Sequence, residues 1–152
     1  MSIKDQITAD LKDAMKARDQ TRLDTLRSVL SAFTYRRVEA GHDLSDEEQL
    51  AVVQKQVKQR TDSIGEYEKA GRAELVAKES QEREILARYL PAQKSADEIR
   101  ILVREIIAGI PADGRNQGAV MKAVMPQLKG SADGNVVRQV VSEELKLAPA
   151  GS

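Results

Sequence analysis

The stretch from Gln117 to Val141, QGAVMKAVMPQLKGSADGNVVRQVV, constrains the fold more than any other part of the chain. Val120, Met121, Val124, Met125 and Leu128 recur at the spacing of one helix face, and a second run at the same spacing follows with Val136, Val137, Val140, Val141 and Leu145. Between them Lys129–Gly130–Ser131 reads as a stop and a restart: glycine suits the left-handed residue that ends a helix, and serine suits an N-cap. The pattern predicts a tight helical hairpin. Pro126, one turn before the stop, should kink or shorten the first helix, because proline has no N–H to continue the ladder. Lys122, Lys129 and Arg138 fall on or beside the turn, opposed there only by Asp133.

The rest of the chain reads as helices too. Ser2 suits the N-cap of a first helix with Ile3, Ile7, Leu11 and Met15 four apart, and Asp19 or Thr21 starts a second, stopped at Gly41. Ser45 with Glu48, and Ser95 with Glu98, have capping-box spacing and open further helices. One helix ends near Gly71, another is stopped by Pro91, and Gly109, Pro111 and Gly114 break the chain before the hairpin. Aromatic residues make up only 3% of the chain, so a core must be built from aliphatic side chains, which favours helix packing over a β-sandwich. The expectation is an all-α protein in two parts: an N-terminal multi-helix domain over residues 1–92 and a C-terminal three-helix domain over 93–148. Residues 149–152 are expected to form a disordered tail.

Charge limits the functional classes. The chain has no net charge, which argues against a protein that coats nucleic acid non-specifically, but the balance is uneven. Residues 1–90 carry 16 Lys and Arg against 17 Asp and Glu, whereas between 115 and 138 Arg115, Lys122, Lys129 and Arg138 face only Asp133. Cysteine is absent, so no disulfide or thiolate chemistry is available and a reducing compartment, the cytoplasm, is expected. No apolar block has the length of a signal peptide or a membrane span.

Catalytic signatures are also missing. There is no phosphate-binding GxxxxGK[ST] or GxGxxG, and no serine in a nucleophile-elbow pattern. His42 is the only histidine and is read as an exposed loop residue. In the acidic series after residue 65, Glu68–Arg72, Glu79–Arg83 and Glu84–Arg88 are i,i+4 pairs of a solvated helix surface, with no metal ligation implied. Arg36–Arg37 and the group Lys55, Lys58 and Arg60 are secondary candidates for contact with RNA, equally explained by helix-end and wet-face roles. No cofactor is called for.

The pattern VMxxxMPxLKGxADGxxV, found here from Val120 to Val137, resembles the YqeY-like family. So does VKQRTDSIGEYEKAGRAELVAKESQEREILARYLP, in which Tyr67, Gly71, Arg72, Tyr89 and Pro91 stand where the family has them. The C-terminal part of that family is similar to the tail domain of the glutamyl/aspartyl-tRNA amidotransferase, the part of that enzyme that handles tRNA. The resemblance implies tRNA as partner and a non-catalytic, tRNA-binding accessory role. Its contact residues would be Arg115, Lys122, Lys129, Gly130, Ser131, Asn135 and Arg138, with the Gly130–Ser131 turn and Lys129 offering an anion site. It also carries the label of a carbon–nitrogen ligase with glutamine as amide donor. That leaves two other readings open: a component of such a ligase or a tRNA synthetase assembly, active only in complex, or a protein-interaction module. Ser131 and Asn135 stand where the family pattern has cations, and Gln117 where Met is common, so fewer phosphate contacts and weaker RNA binding are implied.

Overall fold

The computed structural model describes residues 1–128 and 130–148 and is all-α; no strand occurs among the described residues. The helices are α1 (Ile3–Ala17), α2 (Gln20–Ala40), α3 (Asp46–Lys69), α4 (Ala73–Ala87), α5 (Ala96–Ala108), α6 (Gln117–Val124) and α7 (Gly134–Leu147). They gather into two compact units, Met1–Leu90 and Pro91–Ser152. None of the described helices is long and apolar enough to cross a membrane.

Most helix starts follow directly from capping chemistry. Ser2, Ser45 and Ser95 each accept a hydrogen bond from the backbone N–H three residues on, and the side chains of Asp5, Glu48 and Glu98 accept from the serine N–H in return. The Ser2 side chain and then its N–H hold the Asp5 carboxyl below the usual carboxylate range, and the Ser45 and Ser95 N–H groups do the same chiefly for Glu48 and Glu98. Asp19 caps α2 by accepting from the Arg22 N–H. Gly41 and Gly71 close their helices at positive φ, 78° and 70°.

In the first unit α1, α2, α3 and α4 surround Ile7, Leu26, Val29, Phe33, Val53 and Leu86. Phe33, the single phenylalanine, is the largest of these and is buried. Polar ties fix the helices around the core. The Lys4 N–H donates to the Gln49 side-chain oxygen (3.0 Å), linking α1 to α3, and the buried Gln49 amide donates in turn to the Leu44 carbonyl (3.2 Å). Arg60 on α3 faces Glu82 on α4 at 3.5 Å with both side chains largely covered, so Glu82 is a helix-to-helix contact and not part of the wet surface. Of the expected i,i+4 pairs Glu84–Arg88 forms, at 3.8 Å, whereas Arg72, at the start of α4, turns instead to Glu74 at 2.9 Å.

The Tyr89 hydroxyl, just past α4, donates to the Asp10 carboxylate on α1, and Arg22 of α2 approaches Asp10 at 3.8 Å. Burial, and then the Asp10 acceptor, push the Tyr89 phenol well above its ordinary range. A folded-state pKa above the unfolded one means that the folded form holds its proton longer, so this contribution is intact below about pH 10 and is lost as pH climbs past it. Tyr89→Phe should cost about 1 kcal/mol at neutral pH. In chemical denaturation it should also flatten the fall of stability between about pH 9.5 and 11 relative to wild type.

Candidate nucleic-acid interface

The second unit is built on the apolar stripe of α5. Ile99, Val103 and Ile107, four residues apart, are buried against Val120 and Val124 of α6 and Val137, Val140 and Val141 of α7. The two runs of the hairpin do supply this core, but not with every member: Val136 and Met125 remain 37% exposed, and Ile101 on α5 58%. These three lie off the stripe that the packing selects.

Asn116 caps α6 through the Ala119 N–H (2.9 Å), and the α-helix lasts only to Val124. Met125–Leu128 tightens into a 3-10 turn around Pro126 and buries Leu128. Gly130 follows at φ 69°, the left-handed position expected of it. Ser131 departs from expectation. It is buried, its hydroxyl and N–H both donate to the Leu128 carbonyl (3.0 and 2.8 Å), and α7 is capped instead by Asp133, which accepts from the Asn135 N–H at 2.7 Å. The reason is packing. Ser131 and Ala132 are drawn into the core, so the helix starts only where the chain has come back to solvent.

The backbone of this turn is engaged within the fold. The Gly130 carbonyl accepts from the Gln93 side-chain amide (2.8 Å) and the Ser131 carbonyl from the Lys94 N–H (2.7 Å), so the turn is tied to the segment before α5. The N-terminus of α7 is already occupied by the Asp133 carboxylate. Lys129 lies outside the described residues.

Three of the candidates do face solvent: Lys122 on α6, and Asn135 and Arg138, one turn apart on α7. Gln117, at the start of α6, donates to the Arg138 carbonyl (3.1 Å), a cross-helix tie that residue spacing did not indicate. Neither Lys122 nor Arg138 has an ion-pair partner among the described residues. Arg115 lies two residues before Gln117, on the approach to α6. It is half-buried, its Nε donates to the Ile110 carbonyl (2.8 Å), and it lines a cavity with Leu147 and Ala148, the far end of α7, about 18 Å along the helix from Asn135.

That cavity, about 430 Å³, also exposes an arrangement that motif and charge counting missed. Glu144 on α7 is only 5% exposed and is bracketed by Arg100 (3.2 Å) and Arg104 (2.8 Å) of α5. The Glu144 contact raises the Arg104 guanidinium further above its ordinary value. The signal was a carboxylate set among Val137, Val140, Val141 and Leu145, on the apolar face of its helix. Elsewhere the groups are ordinary: His42 sits in an exposed loop with Nδ1 at 2.8 Å from the Asp43 carbonyl. No group of three or more acidic or histidine side chains able to hold a metal occurs among the described residues. What the hairpin offers among the described residues is Lys122 and Arg138, exposed and without ion-pair partners there, on a helical frame.

This frame is that of a two-unit, all-helical protein with a hairpin at its C-terminal end. The family model described as Yqey-like protein matches residues 4–145, and the chain belongs to that family. Among its relatives is altered inheritance of mitochondria protein 41, mitochondrial, of Pyrenophora tritici-repentis, 30% identical over 91% of this chain and 78% of that protein. The protein of the same name from Clavispora lusitaniae is 31% identical over 89% of this chain and 82% of its own length. That of Saccharomyces cerevisiae is 29% identical over 80% and 68%. These names overturn the cytoplasmic expectation, since each relative is called mitochondrial. The inference from composition failed because a cysteine-free chain fits any compartment, and absence of cysteine does not distinguish one reducing interior from another.

Gly130→Ala tests the turn. A β-carbon on this buried residue at φ 69° should cost about 1 kcal/mol, seen as a lower midpoint in thermal unfolding with the α-helical spectrum unchanged at low temperature.

Proposed function

We propose that the protein is a non-catalytic accessory factor that binds tRNA through the outer surface of the α6–α7 hairpin. The observation carrying this reading is the exposure of Lys122 and Arg138, without ion-pair partners among the described residues, on two helices held in register by the Gln117–Arg138 bond. Such cations are suited to phosphate oxygens, and they position a nucleic acid without reading its bases. Asn135, one turn before Arg138 and exposed, adds a neutral donor and acceptor for sugar or phosphate. Lys129 extends the surface in sequence. The inward-facing Gly130 and Ser131 shape the hairpin and leave contact to these side chains. Family membership supports the reading through the likeness of the family's C-terminal part to an amidotransferase tail.

With so few cations the affinity is modest and strongly salt-dependent. Titration with bulk tRNA should give a Kd in the micromolar range at about 50 mM salt, weakening at least tenfold by about 200 mM. Changing Lys122, Lys129 and Arg138 together to Ala should abolish measurable binding while leaving the fold intact. Each single change should reduce the slope of log K against log salt by about one. Binding unaffected by the triple change, or none at the lower salt, would overturn the proposal.

A further inference from the structure

α2 leaves one face uncovered. Arg27, Ser28, Ser31, Tyr35, Val38 and Glu39 are all exposed, and Tyr35 and Val38 are 73% exposed, unusual for an aromatic and a β-branched aliphatic side by side. The opposite side of the same helix, Leu26, Val29 and Phe33, is fully used by the core. The Ser31–Tyr35–Glu39 row is a ridge between two grooves. One, about 680 Å³, runs past Arg27, Leu30, Thr34 and Val38. The other, about 450 Å³, lies between α2 and α3 against Val52, Lys55 and Gln56. A ridge flanked by grooves is the surface that a second helix packs against.

The order of residues along this face says which helix. Reversing the face about a point between Ala32 and Thr34 exchanges Arg27 with Glu39, Ser28 with Val38, and Ser31 with Tyr35. The Arg27 cation meets the Glu39 anion, and Tyr35 and Val38 each meet a serine. An isologous contact demands this self-complementarity, since each pairing must occur twice. Arg27 has no ion-pair partner among the described residues, and Glu39 has only the exposed Arg36 at 3.3 Å, a contact that costs little to exchange.

We propose that this face is a homodimer interface in which α2 packs antiparallel against α2 of a second copy, with its two-fold axis crossing the exposed face at the level of Phe33, whose side chain points the other way into the core. Tyr35 of each protomer fills the space above Ser31 of the other, Val38 covers Ser28, and two Arg27–Glu39 pairs close the ends. The contact is small, so the dimer is weak and forms in the micromolar range. It uses only the first unit and is independent of the RNA reading of the hairpin.

Sedimentation velocity of the full chain from about 1 to about 300 µM tests it. Wild type should shift from monomer to dimer across this range. Arg27→Glu, which sets like charges together at both ends, should weaken association at least about tenfold. Combining it with Glu39→Arg should restore association, because the reversed charges again face each other. Tyr35→Ser, an exposed change that leaves the core untouched, should also abolish the dimer. A monomer throughout the range, as expected if an acidic protein or an RNA covers this face, would overturn the proposal. So would a dimer indifferent to Arg27→Glu, or one that the charge exchange fails to restore.

Discussion

Burial of a narrow aliphatic stripe on each helix is the constraint on which everything else in this protein depends. Helices of 8 to 15 residues, such as α1, α4, α5, α6 and α7, are marginal in water by themselves, and aromatic bulk is nearly absent. Each persists because positions three or four apart are removed from solvent together. Ile99, Val103 and Ile107 do this for the C-terminal unit, and Leu26, Val29 and Phe33 for the N-terminal one. Surfaces off those stripes are then free to carry charge, and the candidate interfaces lie on them.

Polar groups near the cores act by geometry more than by strength. Gln49, Tyr89 and Glu144 each link helices that are distant in sequence. Glu144 is the most exacting. A carboxylate among valines would be costly without Arg100 and Arg104, so the ion pairs fix how α7 lies on α5. The same logic turns the Gly130–Ser131 turn inward. Gln93 and Lys94 hold its carbonyls and so anchor the chain entering α5.

The separation of roles within the hairpin follows. Residues that shape it, Gly130, Ser131 and Asp133, are spent on the chain itself, while Lys122, Asn135 and Arg138 point away from it. Arg115 shows why charge counting along the sequence overstates a surface. It contributed to the local surplus of cations, yet its guanidinium supports the Ile110 carbonyl at the opposite end of α7.

Local chemistry was legible in the sequence and pairing across the fold was not. Caps at Ser2, Ser45 and Ser95, stops at Gly41, Gly71 and Gly130, and the shortening at Pro126 depend on backbone groups within four residues, so residue type alone determined them, whereas the fold chose Asp19 over Thr21 as the cap of α2. Membership in the YqeY-like family was likewise carried by residues read in order. Tertiary structure decided what spacing could not: Ser131 buried and Asp133 capping, Val136 outside and Val137 inside, Glu82 against Arg60, and Glu144 between two arginines. Periodicity places a residue on a face about 100° wide, whereas burial turns on which neighbour arrives from elsewhere in the chain, and only the packed core specifies that.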